Sequence, residues 1–380
     1  MREALDLTGI PFVDGHMHPP YREHPADLAA YRWPWYEGSP DDTELAAETA
    51  AYRWGIRELA ADLGVAPDEQ EVFDAVTGRE LRTWLAGLLR EEAVTGLVAD
   101  MGYPPPEQSF TAGALADATG VDVAPLLRIE QRAGILAAES AGFDEFLDRF
   151  DSEVGSARAA GYAGLKSVLA YRSGLAVSEF GAGDAAEAFG RERTRAAAEG
   201  PIFLTDKPLL DFLFLRALAI ARRDDLPVQL HTGYGDRDLD LPRSNPWLLR
   251  ELLERSEDAR AVPLVLLHGS FPYTREAAIL TAIYPRVYFD VGTCVPPFAW
   301  AVQMEVWRTA LAIVPLSRVH ASSDAAGLCE QISLGARQAR RTLGTALAEL
   351  CDTGSLSTAE AERAAVAILG GTARSLYFAA

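Results

Sequence analysis

Residues 11–19 read Pro-Phe-Val-Asp-Gly-His-Met-His-Pro. The apolar beginning of this stretch predicts a short buried β-strand. His16 and His18 are two residues apart, so their side chains would point to the same side of that strand, with their backbones about 7 Å apart. Two imidazoles in this arrangement can bind one cation, although a hydrogen-bonded pair in the core has the same spacing. The rest of the chain has to decide between the two interpretations.

The composition is typical of a folded protein. The chain has 380 residues, of which 49% are hydrophobic and 24% charged, and this length fits one large barrel or two smaller domains. Lys and Arg number 35 against 55 Asp and Glu, which gives a net charge of −20. Such an excess of negative charge argues against nucleic acid or an anionic membrane surface as a partner.

We expect a cytoplasmic location from the absence of targeting signals and of a disulfide pattern. The first residues lack the layout of a signal peptide, and no apolar run is long enough to span a bilayer. The three cysteines, Cys294, Cys329 and Cys351, are far apart and form no zinc-binding spacing. This use of cysteine fits a reducing compartment.

Eight short apolar runs end in polar residues, and amphipathic stretches separate most of them. The runs cover residues 11–19, 95–101, 123–129, 163–169, 227–233, 263–270, 286–292 and 318–324. This alternation is typical of βαβ units. We therefore predict an α/β protein with a (β/α)₈ barrel that forms a single domain over residues 1–380, with a doubly wound open sheet as the alternative.

The segment at residues 20–92 is too long for an ordinary βα loop. It contains helical patterns after residues 41–43, which could cap a helix, and over residues 71–89. We predict a helical insertion after the first strand that serves as a lid, as the contact of a homodimer, or as both.

Six side chains of metal-ligand type stand at the ends of these runs. They are His16, His18, Lys166, His231, His268 and Asp324. In a barrel the carboxyl ends of the strands carry the functional groups. Taken singly, each has a structural explanation, such as a hydrogen-bonded core histidine, an ion-paired lysine or a helix-capping aspartate. Taken together they favour one shared site, because four of the six histidines in the chain stand at strand ends; the other two, His24 and His320, we interpret as structural.

The order His-x-His, Lys, His, His, Asp on successive strands resembles the amidohydrolase superfamily, of the amidohydrolase-2 type. Gly-Leu-Lys-Ser-Val-Leu-Ala-Tyr-Arg-Ser-Gly-Leu at residues 164–175, His-Thr-Gly-Tyr-Gly-Asp at 231–236, Ser-Asn-Pro at 244–246 and Ser-Ser-Asp-Ala at 322–325 resemble the amidohydrolase domain of FluG-type proteins. In fungi and plants that domain is joined to a part similar to glutamine synthetase. These 380 residues contain no such part, so we expect a free-standing relative.

The resemblance implies a divalent metal centre with one or two ions. His16, His18 and Asp324 would bind one cation, which would lower the pKa of a water molecule towards about 7. In a two-metal version His231 and His268 hold a second ion and a carbamylated Lys166 bridges the two. In a one-metal version His231 completes the ligand set, His268 polarises the substrate carbonyl and Lys166 stays a cation. Zinc is the expected metal, with manganese, iron and nickel as alternatives.

The predicted reaction is hydrolysis of an amide by activated water. Asp324 is the candidate proton shuttle from that water to the leaving amine, with His268 and Lys166 as further catalytic candidates. Arg172 could clamp a substrate carboxylate, beside Tyr171, and Asp236 could meet a substrate ammonium. This pair of charges suits the amino-acid end of a γ-glutamyl group, in agreement with the resemblance to FluG-type proteins. The predicted partner is thus a small-molecule substrate.

Two other functions compete with amide hydrolysis. Some members of the superfamily are non-oxidative decarboxylases with one metal ion, and Arg172 would serve the carboxylate of such a substrate equally well. Lys166 favours hydrolysis, because the decarboxylase relatives lack a bridging lysine on strand four. An inactive barrel that acts as a scaffold would be expected to lack a ligand residue, and none of the six is missing.

Overall fold

The computed structural model describes residues 3–199, 203–292 and 298–379, so Cys294 lies outside the described residues. Its eight strands form one sheet in the order β1 to β8. The strands are β1 Phe12–Met17, β2 Val94–Asp100, β3 Asp122–Arg128, β4 Gly164–Ser167, β5 Val228–Leu230, β6 Leu264–Leu266, β7 Val287–Val291 and β8 Val319–Ala321. Helices occur between the strands, and the predicted (β/α)₈ barrel fold is confirmed.

Each strand begins and ends within a few residues of the apolar run that predicted it. The helices are α1 Leu28–Arg32, α2 Ala50–Leu63, α3 Glu69–Thr77, α4 Leu81–Glu91, α5 Ala112–Thr119, α6 Ile129–Glu139, α7 Phe143–Gly155, α8 Leu169–Arg172, α9 Ala182–Glu199, α10 Lys207–Arg223, α11 Arg250–Arg255, α12 Glu257–Ala261, α13 Thr274–Ile283, α14 Trp300–Ile313, α15 Cys329–Asp352, α16 Thr358–Val366 and α17 Thr372–Tyr377. Short 3₁₀ segments occur at Trp33–Trp35, Pro40–Glu48, Leu241–Ser244, Pro246–Leu249, His268–Ser270 and Leu316–Arg318.

The chain divides into two compact units. Unit 1 comprises Met1–Ala124 and Asp290–Ala380, and unit 2 comprises Pro125–Phe289. The two units are described separately below. That residues 1–380 form a single domain stays a prediction.

In unit 1, β1 lies between β2 and β8. Phe12 and Asp14 of β1 are in parallel register with Val94 and Leu97 of β2. On the other side the backbone N–H of Asp324 donates to the carbonyl of His16 at 3.0 Å. All six residues of β1 are buried, so the polar side chains of this strand require polar partners inside the protein.

Residues 20–92 contain four α-helices between β1 and β2. The first turn of α2 is capped by Thr49, whose hydroxyl accepts from the N–H of Tyr52 at 3.2 Å, and not by residues 41–43, which lie inside a 3₁₀ segment capped by Ser39. The predicted helix over residues 71–89 is two helices, because Glu80 caps α4 with its carboxylate. The role of this segment as a lid or dimer contact stays a prediction.

In unit 2, strands β3 to β7 pair in parallel. Lys166 of β4 is in register with Arg128 of β3 and with Gln229 of β5. Gly164 allows the close approach of β4 to the next strand, because a Cβ there would lie 2.8 Å from the carbonyl oxygen of Pro227. Helix α10 buries an apolar face of leucine, phenylalanine and alanine, as its helical periodicity predicts.

Candidate active site

Four side chains of ligand type meet at the carboxyl ends of three strands of unit 1. His16 and His18 lie at the end of β1, Asp100 ends β2, and Asp324 follows β8. The Nε2 atoms of His16 and His18 lie 3.4 Å and 3.7 Å from Oδ1 of Asp324, and Nδ1 of His18 lies 3.9 Å from Oδ2 of Asp100. Ligand atoms of His16, His18 and Asp100 all lie within 4.8 Å of one another.

This donor set fits a divalent cation. Two imidazoles and two carboxylates are ligands that zinc, manganese, iron and nickel all accept. His16 and Asp100 are fully buried, whereas the Asp324 side chain keeps 19% of its surface exposed. The buried ligands are thus held by the core, while Asp324 can be reached by a small molecule.

Backbone conformation directs Asp324 into the site. Its φ is +54°, in the left-handed region that non-glycine residues rarely adopt. Such a conformation costs on the order of 1 kcal/mol or more and persists only where the surroundings impose it. The hydrogen bond from its N–H to His16 is one of the contacts that hold this conformation.

Buried polar side chains next to the two histidines hold them in position, and we call these side chains the buried polar layer. The carboxylate of Asp14, two residues before His16, accepts from the backbone N–H and the hydroxyl of Ser323 at 2.8 Å and 2.5 Å. Burial raises the pKa of Asp14 to about 7, and the two bonds from Ser323 oppose that rise. These bonds fix β1 against the residues that follow β8, and therefore fix His16 relative to Asp324.

His320 and Asp290 belong to the same layer. Nδ1 of His320 lies 3.2 Å from Oδ1 of Asp290, and both side chains are fully buried. The hydroxyl of Ser322 donates to the other oxygen of Asp290 at 3.0 Å. Gly15 permits this packing, because a Cβ at that position would lie 2.2 Å from Nδ1 of His320.

Asp100 is the ligand-type residue that our sequence analysis missed. It closes β2 in the run Thr-Gly-Leu-Val-Ala-Asp-Met at residues 95–101. The signal was the one used for the other strands, a polar side chain at the carboxyl end of an apolar run. In this run the polar residue is followed by an apolar one, Met101, which hides the strand end in the sequence.

In unit 2, His231 and His268 lie together. His231 follows β5 and His268 follows β6, and their ring centroids are 4.5 Å apart. Both side chains are buried, with 7% and 3% of their surface exposed. Lys166 of β4 is also buried, at 1% exposure, in register with the strand that leads to His231.

Tyr171 connects His231 to the loop that contains Asp236. The Tyr171 ring centroid is 4.5 Å from that of His231, and the tyrosine hydroxyl accepts from the backbone N–H of Asp236 at 3.1 Å. Gly235 is required here, because a Cβ would lie 2.1 Å from the tyrosine oxygen. Tyr171 thus contacts both His231 and the backbone of Asp236, and a role for Tyr171 and Asp236 in substrate binding stays a prediction.

Arg172 has a carboxylate partner within the chain. Its Nη1 donates to Oδ2 of Asp238 at 3.2 Å, and its guanidinium lies 4.2 Å from the centroid of the Phe203 ring. The Arg172 side chain is 14% exposed and that of Asp238 is 57% exposed. Binding of a substrate carboxylate by Arg172, and the joining of the two histidine groups in one centre, stay predictions.

Fold and side chains together define a (β/α)₈ barrel with a candidate divalent-metal centre at the carboxyl ends of its strands. The family model for amidohydrolases matches residues 176–379, which is more than half of the chain. The chain therefore belongs to the amidohydrolase family, and the resemblance predicted from the strand-end motifs is confirmed.

The curated protein fluG of Emericella nidulans is 34% identical to this chain over 258 residues, which cover 66% of this chain and 29% of fluG. The chain thus corresponds to less than a third of that relative's length. A crystal structure from Lactobacillus casei, of a protein provisionally named a metal-dependent hydrolase, is 27% identical and superposes with a TM-score of 0.88 over 99% of this chain and 98% of the other.

Uronate isomerase from Thermotoga maritima has the same fold at 14% identity, with a TM-score of 0.69 over 98% of this chain and 96% of the isomerase. At this identity the likeness extends to the fold alone. In the part of the chain that the structure describes, no helix has the length and apolar character needed to cross a membrane.

Proposed function

We propose that this protein hydrolyses the C–N amide bond of a small molecule with the help of one or two divalent metal ions. The observation that carries the proposal is that donor atoms of His16, His18 and Asp100 lie within 4.8 Å of one another at the strand ends, and that Oδ1 of Asp324 lies 3.4 Å and 3.7 Å from the two histidines. A bound divalent cation would supply a Lewis acid that activates water and polarises the amide carbonyl. Zinc is the metal we expect.

Asp324 is the residue that moves the proton. Its Oδ1 lies within 3.7 Å of both histidines, and its side chain is accessible. A carboxylate in this position accepts a proton from the attacking water and gives it to the leaving amine, since both partners can come within hydrogen-bond distance. The buried His16 and Asp100 keep their positions while this transfer occurs.

Lys166, His231 and His268 complete the proposed site. In the two-metal version the two histidines would hold the second ion, and a carbamylated Lys166 would be an anionic ligand in place of a buried ammonium. In the one-metal version His268 polarises the carbonyl and His231 is a ligand.

We propose γ-glutamyl amides as the substrate class. Support comes from the relationship to fluG and from Tyr171, which contacts His231, the Arg172 guanidinium and the backbone of Asp236. A cytoplasmic enzyme would meet such amides as small metabolites.

The test is the metal content of protein purified without chelators, measured by elemental mass spectrometry for wild type, Asp324→Asn and Lys166→Ala. Two ions per chain that fall to one or none in Lys166→Ala, with amidase activity in wild type and a loss of at least a hundredfold in Asp324→Asn, would support the proposal. Wild-type turnover in Asp324→Asn would remove that residue from the mechanism. One ion that survives Lys166→Ala, with release of carbon dioxide from carboxylic acids and no amide cleavage, would replace the hydrolase by a decarboxylase.

A further inference from the structure

Unit 2 contains a cavity of about 250 Å³ whose lining includes three cationic side chains, Arg172, Lys207 and Arg243. Its other lining residues are uncharged. The whole chain has 20 more acidic than basic residues. The charged residues that line this cavity are all cationic, so their sign is opposite to that of the net charge. Such a lining favours an anionic ligand.

Lys207 is fixed at this cavity by a buried carboxylate. Its Nζ donates to Oδ2 of Asp211 and to the carbonyl of Ala176, both at 2.6 Å. Asp211 is fully buried and also accepts from the Ser173 hydroxyl and the Ser178 N–H. An ammonium has three donors, and within the described residues the third has no protein partner. Lys207 is therefore held in place with a donor available for a ligand.

The other two cations pair with carboxylates that are more than half exposed. Arg172 pairs with Asp238, which is 57% exposed, and Arg243 pairs with Asp240, which is 58% exposed. The pair of Arg243 and Asp240, in which both side chains are exposed, contributes about 0 to 1 kcal/mol. A carboxylate that enters the cavity can therefore compete for both guanidinium groups, each of which offers a planar pair of donors that matches a carboxylate.

The amino-terminal end of α10 adds to the positive potential. Lys207 is the first residue of this 17-residue helix, where the helix dipole disfavours a cation and favours an anion. A bound anion would therefore be stabilised by the helix as well as by the three side chains.

Within unit 2, the cavity lies next to the residues that contact His231. Arg172 lines it, and the preceding residue, Tyr171, stacks on His231. A ligand with one end among the three cations would thus extend towards the histidines of unit 2.

We propose that this cavity binds a carboxylate of the substrate's acid portion, so that the protein selects amides of dicarboxylic and aminodicarboxylic acids over neutral amides. This inference rests on the proposed amidase function and adds Lys207 and Arg243 to Arg172 as determinants of specificity.

The test is binding of glutarate to chelator-treated protein, measured by isothermal titration calorimetry. Arg243→Gln removes one cation from an exposed position and leaves the chain's packing intact. Arg250→Gln is the matched control, because Arg250 is similarly exposed and also pairs with a carboxylate one helical turn away, but does not line the cavity. We expect glutarate to bind at least fivefold more weakly to Arg243→Gln and equally to Arg250→Gln, and we expect no binding of neutral glutaramide.

Equal glutarate affinity in the two variants, equal binding of glutaramide, or tighter binding of inorganic phosphate than of glutarate would overturn the carboxylate site. Kinetics separate this result from the proposed function. A raised KM for acidic amides only, with unchanged kcat in Arg243→Gln, would support both. Glutarate binding that depends on Arg243 in a protein that cleaves no amide would support a carboxylate cavity and overturn its role in amide selection.

Discussion

At the residue scale, Asp100 is the side chain that changes the interpretation of the site. The sequence predicted His16, His18 and Asp324 from their positions at strand ends, and the structure places these three together. Asp100 obeyed the same rule and was missed, because a single aspartate before another apolar residue carries little information until the strand boundary is known. The grouping of Asp100 with His16 and His18 follows only from the structure.

We expect Asp100→Asn to lower metal affinity at least tenfold with little effect on folding. The amide oxygen keeps the acceptor for the N–H of Gly102, which donates to Asp100 at 3.0 Å, but the negative charge beside His18 is lost. The measurement is metal content after dialysis against a series of chelator concentrations. Asp122→Asn, at an exposed position that pairs with Arg374, should retain metal as wild type does, and equal retention by both variants would exclude Asp100 as a ligand.

Glu330 gives a prediction for the pH dependence of stability. It is fully buried, and burial raises its pKa above the ordinary 4.5 despite the hydrogen bond from Nε1 of Trp84 at 2.7 Å. A carboxyl whose pKa is higher in the folded than in the unfolded state stabilises the fold at low pH, and this stabilisation is lost as the pH rises through the folded pKa. The ionised carboxylate is therefore a cost at neutral pH.

We expect Glu330→Gln, which keeps an acceptor for Trp84, to gain stability relative to wild type as the pH rises from 4 to 7. The measurement is the difference in thermal midpoint between the two proteins, determined by calorimetry at each pH. The contributions of all other titrating groups to the midpoint cancel in this difference. A difference that stays constant across this range would show that Glu330 titrates alike in the folded and unfolded chain.

At the element scale, the strands were predictable and the helix boundaries in residues 20–92 were not. An apolar run of four to eight residues, bounded by turn residues, is nearly sufficient by itself to predict a buried strand. Helix starts depend on which of several competing Ser, Thr, Asp and Glu side chains reaches a free N–H, and here Ser39, Thr49 and Glu80 do so. The packing of the neighbouring segments determines which of these side chains caps the helix. The local sequence carries no information about that packing.

The contact between β1 and the segment after β8 is the element-scale feature that can be tested. We expect Ser323→Ala to destabilise the protein by about 1 to 3 kcal/mol, because it leaves the buried carboxylate of Asp14 short of a hydrogen bond. The measurement is the midpoint of unfolding by calorimetry. Ser375→Ala removes a hydroxyl bonded only to a carbonyl in its own helix and should change the midpoint by far less; a similar change in both would contradict the role of Ser323.

At the scale of the whole molecule, the sequence predicted eight strands in order and the family, but not the division into two compact units. The boundaries of these units fall within or beside β3 and β7, and no linker or change of composition marks them. Strand-end motifs identify the functional residues of each unit. How many ions these residues bind depends on their arrangement in the folded chain.

Metal removal tests the number of bound ions. His16 and Asp324 are 308 positions apart in the chain, but His16 lies on β1 and Asp324 follows the neighbouring strand β8. A cation bound to both would connect the first and the last strand. Ligand binding to the folded state alone stabilises it by about 4 kcal/mol when the free ligand concentration is a thousand times the dissociation constant.

We expect chelation to speed amide hydrogen exchange in β1, β2 and β8, as measured by mass spectrometry. We expect His16→Ala to abolish the difference between metal-loaded and chelated protein. Loss of protection that extends to β4, β5 and β6 would indicate a second ion held by Lys166, His231 and His268, whereas unchanged exchange in unit 1 would show that the four side chains hold no metal.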